Sequence, residues 1–152
     1  MQFRAAELSD LAIVSTWLDS ATACRLWSGS RVSYPVDETS LAEKIEYAQS
    51  ESSTGTLNEL VVAFGQCVPK PEGRIHLARL IVSPAYRKTG LGRLLAHHLL
   101  GLARARNTDS ISLNVLPDNE AALRLYRSLG FTKVERPPDE PTSTATYMEY
   151  AQ

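Results

Sequence analysis

Arg87, Lys88 and Arg93 surround two glycines, Gly90 and Gly92, inside residues 80–102, LIVSPAYRKTGLGRLLAHHLLGL. This stretch begins as an apolar run, breaks at Pro84 and resumes as an apolar pattern of a different period, which predicts strand, loop and helix. Glycines in the loop permit positive φ and close approach to the main chain, and the first-turn N–H groups of the helix lack intrahelical acceptors. Those donors, the positive end of the helix dipole and the cationic side chains converge on one place, which suits an anion and above all a phosphate. Spacing excludes two familiar phosphate loops: there is no Gly-Lys-Ser/Thr tripeptide, and Leu95 stands where a dinucleotide fingerprint has its third glycine. A plain strand-to-helix turn with solvated charges has the same composition, so a second segment has to decide.

That segment is residues 112–131, SLNVLPDNEAALRLYRSLGF, in which a strand is followed by Asn119, Ala122, Leu125-Tyr126 and Leu129-Gly130-Phe131. Together with Arg87-Lys88-Thr89-Gly90-Leu91-Gly92, which has the form Gln/Arg-x-x-Gly-x-Gly/Ala, it resembles the Gcn5-related N-acetyltransferase (GNAT) family. Two blocks in the family's order, near the family's separation, are far more specific than either alone. The resemblance covers about residues 60–131 well, the N-terminal third only in its helix pattern, and the tail weakly.

The resemblance implies one acyl-CoA N-acyltransferase domain over residues 1–152. Its fold is α/β (α+β), a mixed, mostly antiparallel twisted sheet of about six or seven strands flanked by about four helices. Two parallel central strands splay apart, and the pantetheine arm of acetyl-CoA lies in the gap like an added strand. By position, the main chain of Leu80, Ile81 and Val82 faces the arm. Arg87, Lys88, Thr89, Gly90, Leu91, Gly92 and Arg93 fall on the pyrophosphate, and Asn114, Asn119 and Ala122 complete the cofactor side. Tyr126 sits at the family's tyrosine acid, where a phenol with a pKa near ~10 is available to protonate the leaving thiolate. The same tyrosine fits an aromatic packed between helix and strand.

A general base is harder to place. Some relatives, including those that acetylate ribosomal-protein N-termini, have a glutamate five residues before the asparagine, and here that position is Asn114. Asparagine accepts no proton, so it holds a water or the acceptor amine, or the base is elsewhere; His76, Glu59 and Glu72 qualify only by residue type. The expected reaction is direct transfer of acetyl from acetyl-CoA to a primary amine of a small molecule or peptide or protein N-terminus. A non-catalytic acyl-CoA sensor is the alternative, with Asn114 as its main support.

The remaining elements follow from pattern. Residues 3–5 read as a first strand, and Ser9 or Asp10 caps a helix carrying Leu11, Val14, Trp17 and Leu18. Residues 21–35 read as a loop, with Trp27 and Tyr34 either pinning it to the core or walling a substrate pocket. Asp37 or Thr39 starts a helix to about Gln49, with Leu41, Ile45 and Tyr47 or Ala48 inward; residues 50–56 have linker composition, with at most a short polar strand at 52–56. Strands follow at 60–64, 74–82 and 110–116, a helix at 119–129 closed by Gly130, and a last strand at 144–150. Leu91, Leu94, Leu95, His98, Leu99 and Leu102 mark the buried stripe of the central helix.

A chain of 152 residues with 43% hydrophobic and 22% charged residues is ordinary for one globular domain. A net charge of −1 gives no global attraction to nucleic acid or anionic membrane, and the patch of Arg87, Lys88 and Arg93 lacks interleaved aromatics. Cys24 and Cys67 form no metal or disulfide pattern, and His97 and His98 are adjacent and so face apart, which leaves no metal site expected. Without a spanning apolar run or a signal-peptide core, the expected location is the cytoplasm. The acidic residues Asp37, Glu38, Glu43 and Glu46 suit a solvated helix face better than an acidic acceptor wall. The oligomeric state, monomer or homodimer, is open.

Overall fold

A computed structural model describes residues 1–151. The chain opens with β1 (Gln2–Ala5), α1 (Leu8–Thr16), α2 (Ala21–Ser28), α3 (Glu38–Lys44) and a 3-10 turn at Tyr47–Gln49. A meander of β2 (Glu51–Leu57), β3 (Leu60–Lys70) and β4 (Arg74–Val82) follows, and then α4 (Leu91–Ala105), β5 (Ser110–Val115), α5 (Glu120–Ser128), β6 (Phe131–Lys133) and β7 (Thr146–Tyr150). One seven-stranded sheet has the order β1-β2-β3-β4-β5-β7-β6. Among the described residues its only parallel pair is the central β4–β5. This is the mixed, mostly antiparallel sheet with helices on both faces that the sequence implied.

Each face has its own core. Leu95 and Leu99 of α4 and Tyr126 of α5 pack with Ile75, Leu77, Ile111 and Leu113 on one side. Leu11, Val14 and Trp17 of α1, Cys24 and Trp27 of α2 and Leu41 of α3 pack with Val61 and Phe64 on the other. The buried stripe of α4 is rotated from the one its leucines imply: Leu94 is half exposed and Ala96, Leu100 and Ala103 turn inward instead. His97 is exposed, whereas His98 stacks on Phe3 with ring centroids 4.0 Å apart.

Several boundaries differ from the sequence reading. Residues 21–28 are helix, not loop, because Ser20 accepts from Ala23 N at 3.0 Å as the N-cap and Cys24 and Trp27 bury one face at helical spacing. Gly29 caps the end of that helix, and the expected loop is confined to the residues from there to Asp37. Helix α1 is capped by Glu7 and Asp10 in a reciprocal capping box, two residues ahead of Ser9. Helix α3 stops at Lys44, since Glu46 takes the left-handed conformation (φ 57°), and Ala48 is exposed.

Residues 51–57 form a full strand despite their linker composition. Their polar side chains are buried but satisfied: Thr54 Oγ1 donates to Asp10 at 2.9 Å and Ser52 Oγ accepts from Gln66 Nε2 at 3.0 Å. Strand β3 runs past Gly65 to Lys70, because Gly65 sits in a bulge and does not end the strand.

That bulge organises the centre of the molecule. Gln66 faces Ala78 and Phe64 faces Ile81, so two residues of β4, Arg79 and Leu80, stand opposite Gly65 alone. Arg79 takes the left-handed region at φ 53°. A bulge bends its strand and steepens the local twist. Accordingly β4 and β5 pair from Arg74↔Ser110 to Leu77↔Leu113 and then part, although β4 continues to Val82 and β5 to Val115.

Candidate active site

Beyond Leu77 the β5-facing edge of β4 has no partner strand. Side chains there alternate. Leu80 and Val82 pack with α4 and α5, in the cluster that also holds Ala122 and Tyr126, while Ile81 packs on the opposite face with Trp27 and Phe64. The gap between the strands therefore runs out, on one face, beneath the start of α4 and the middle of α5.

The loop leading into α4 is exposed and tightly held. A 3-10 turn at Pro84–Tyr86 precedes it, Arg87 Nε donates to Val82 O at 3.2 Å, and Thr89 Oγ1 donates to Tyr86 O. Lys88 and Gly90 both have positive φ, at 62° and 88°. The first helical bond into this turn is Leu94 N to Gly90 O at 3.3 Å, so the N–H groups of Leu91, Gly92 and Arg93 have no acceptor within the helix. A Cβ on Gly90 would meet nothing within 4 Å, and one on Gly92 only Val82 Cγ2 at 4.0 Å. Gly92 is thus not demanded by packing or by φ; its missing side chain leaves open space over free N–H donors, which fits a pyrophosphate cradle.

Helix α5 is set beside this cradle. Arg93 Nη1 donates to Ser128 Oγ at 2.6 Å, tying the first turn of α4 to the last turn of α5. Asn119 is the N-cap of α5, its Oδ1 accepting from Ala122 N at 3.3 Å, and Gly130 closes the helix at φ 105°. Tyr126 is buried with its ring edge-on to Phe131, centroids 6.0 Å apart. Burial pushes its phenol up to about 12, so the proton stays on at neutral pH.

On the opposite side the gap opens into a cleft of about 280 Å³. Its walls are the end of α2 with residues 29–31, the stretch Leu77, Ala78 and Arg79 of β4, Asn114 and Leu116 beside β5, and the tail from Arg136 to Ala145. The tail is pinned by buried Arg74, which bonds Asp139 Oδ2 at 2.5 Å, Glu140 Oε1 at 3.1 Å and the Tyr147 hydroxyl at 3.1 Å.

The sequence-derived base candidates separate here. Glu59 and Glu72 lie in exposed hairpin turns away from the cleft. His76 lines the cleft, its Nδ1 2.8 Å from Ser112 Oγ and its Nε2 3.4 Å from Asn114 Nδ2. Burial, and then the cations Lys70, Arg79, Arg74 and Arg136, hold its imidazole down at about 3, so it is neutral at physiological pH. Of the acidic residues considered for an acceptor wall, only Glu46 lines the cleft, and it is engaged by Arg31 at 3.1 Å.

Arg79 also lines the cleft, marked in the sequence only as the one polar residue of the apolar run 77–82. Trp27 Nε1 donates to its carbonyl at 2.8 Å, its Nε donates to Gln66 Oε1, and its Nη2 lies 3.6 Å from Glu46 Oε1 with no hydrogen-bond partner. Burial and then Arg31 lower its guanidinium to about 10, which leaves it charged at neutral pH. Among the described residues no cluster of His, Cys, Asp or Glu is placed to hold a metal, and no helix is long and apolar enough to cross a membrane.

Comparison with known proteins meets this geometry from the other direction. The model of the acetyltransferase (GNAT) family matches residues 16–131. N-alpha-acetyltransferase RimI of Mycobacterium tuberculosis is 49% identical over 53 residues, 35% of this chain and 32% of that protein. The chain thus spans about a third of that relative's length. The ribosomal-protein-S18-alanine N-acetyltransferase structure from Escherichia coli superposes with a TM-score of 0.73 at 25% identity, covering 98% of this chain and 92% of that one. A spermidine N-acetyltransferase from Vibrio cholerae, in complex with CoA and spermine, shares the fold with a TM-score of 0.75 at 16% identity, covering 97% and 92%. Acetyl-CoA is the family's co-substrate. A family match over the strand gap, the glycine cradle and Tyr126 together leads to one conclusion: the chain belongs to the GNAT acetyltransferase family.

Proposed function

We infer that this chain is an acetyl-CoA-dependent N-acetyltransferase that moves acetyl directly to a primary amine in a ternary complex. The observation that supports it most is the parting of β4 from β5 after Leu77 and Leu113, which joins the cradle of residues 87–93 to the cleft on the other face. Bound acetyl-CoA would supply an acyl thioester as electrophile. Leu80, Ile81 and Val82 offer main-chain groups to its arm, the amides at residues 88–93 and the charges of Arg87, Lys88 and Arg93 take the phosphates, and Asn119 and Ala122 form the facing wall.

Tyr126 then protonates the departing sulfur. Its phenol is kept protonated by burial. Amine deprotonation needs no strong base in this setting. The cations around the cleft disfavour an ammonium there, lowering its pKa, so that Asn114 and neutral His76 need only hold the amine or a water. Thiol release from acetyl-CoA across an amine panel tests the assignment: Tyr126→Phe should lose about 10²–10⁴-fold in kcat with the acetyl-CoA KM unchanged. Asn114 in the place of a carboxylate favours one rival reading, an acyl-CoA sensor; tight CoA binding with no turnover of any amine would select it.

A further inference from the structure

Five cations, Arg25, Arg31, Lys70, Arg79 and Arg136, line the acceptor cleft against two carboxylates, Glu46 and Glu140. Both carboxylates are already engaged, Glu46 by Arg31 at 3.1 Å and Arg79 at 3.6 Å and Glu140 by Arg74 at 3.1 Å, and Arg25 pairs with Asp118 at 3.3 Å. Among the described residues Lys70 and Arg136 form no ion pair. The walls therefore carry an uncompensated positive charge at the mouth of the strand gap, in a molecule whose net charge is −1.

Arg79 makes this a built site rather than a basic rim. Its side chain is only 7% exposed, yet Nη2 makes no hydrogen bond, the nearest carboxylate, Glu46, standing 3.6 Å away and shared with Arg31. A left-handed backbone inside a strand disfavours any residue but glycine, and here it is held by Trp27 on the carbonyl and Gln66 on Nε, with Gln66 itself fixed by Ser52. A buried guanidinium with an unmet donor is costly unless something completes it. The complement of a guanidinium fork is a planar or tetrahedral oxyanion.

We propose that the acceptor is a small primary amine that also bears an oxyanion, a carboxylate or a phosphate, which docks on Arg79 while the amino group points to the strand gap between Ala78 and Asn114. This rests on the acetyltransferase reading. With the oxyanion paired to Arg79, the other cations disfavour a charged ammonium at the gap. Polyamines and aminoglycosides, which bring only positive charge, are repelled by the same walls.

The test is kcat/KM by thiol release from acetyl-CoA for pairs that differ in the oxyanion: β-alanine against its methyl ester, phosphoethanolamine against ethanolamine, with spermidine and kanamycin as polycations. The anionic member of at least one pair should be preferred by about 10–100-fold, the loss expected for one charge-assisted hydrogen-bonded contact. Which pair shows it distinguishes carboxylate from phosphate. Arg79→Gln should raise the KM of that amine at least tenfold and abolish the preference without moving the acetyl-CoA KM. Should Arg79→Gln fail to fold, Lys70→Gln reports the same preference from the rim, reduced severalfold. Preference for spermidine, kanamycin or the members without an oxyanion overturns the substrate class and leaves the acetyltransferase reading standing. If no amine turns over, calorimetry of the same compounds on the CoA-bound protein decides the class alone: binding confined to an anionic member upholds it, and binding of none or of the polycations overturns it.

Discussion

Replacing Trp27 by phenylalanine isolates the contact that holds the bulge. The indole N–H donates to Arg79 O at 2.8 Å in a buried setting, so Trp27→Phe leaves that carbonyl without its donor, which costs about 1–3 kcal/mol. The lost indole ring adds a cavity against Phe64, whose ring centroid lies 6.3 Å away. The left-handed conformation of Arg79 opposes the bond by roughly 1–2 kcal/mol. These magnitudes are alike, so removing the donor frees Arg79 to relax. A total of about 2–4 kcal/mol should lower Tm by roughly 4–16 °C at 2–4 °C per kcal/mol for a chain of this size. Calorimetry reads that shift, and steady-state kinetics should show the acceptor KM rising at least tenfold with the acetyl-CoA KM within twofold. An unchanged acceptor KM alongside the expected Tm loss would refute the idea that the bulge positions Arg79 for the acceptor.

Gly92→Ala separates cofactor binding from folding: its Cβ meets open space, so Tm should hold or rise by the helical advantage of alanine, roughly 0.5–1 kcal/mol, while the acetyl-CoA KM climbs at least tenfold in kinetic assays. Gly65→Ala should act oppositely, since its Cβ would sit 2.7 Å from Leu99 Cδ1; denaturant unfolding should show a loss of about 1–3 kcal/mol. For Asp10, burial acts upward, but bonds from Arg4, the Glu7 N–H and Thr54 prevail and hold the carboxyl below its usual range. Its stabilisation is therefore complete above the unfolded pKa near ~3.9 and is lost as pH falls through the lower folded value. Asp10→Asn should lower Tm at neutral pH and flatten its fall below about pH 4 in thermal melts across pH.

The turn into α4 and the ends of α5 were legible because they are written locally. Glycines at 90 and 92, the cap at Asn119 and the closing Gly130 sit in short segments whose chemistry depends on near neighbours in sequence. The acceptor half was not, because it is written across the sheet. Nothing near Ser52 and Thr54 announces a buried strand; they are compatible with one only because Gln66 and Asp10 arrive from other elements. Helix α2 is hard to see because the turn formers Gly29, Ser30 and Pro35 follow closely on the short Cys24–Trp27 stripe. Arg79 reads as an ordinary polar interruption until the register shows it in a bulge opposite Gly65.

The extra residue in β4 has a further consequence for how such a chain can diverge. Deleting it would let Ala78, Leu80 and Ile81 pair in turn with Gln66, Gly65 and Phe64, with Ile81 still on the Phe64 face, and would remove the arginine and the bend that parts β4 from β5 in one event. Substitutions in α2 and the tail, by contrast, reshape the cleft wall while leaving strand alignment intact.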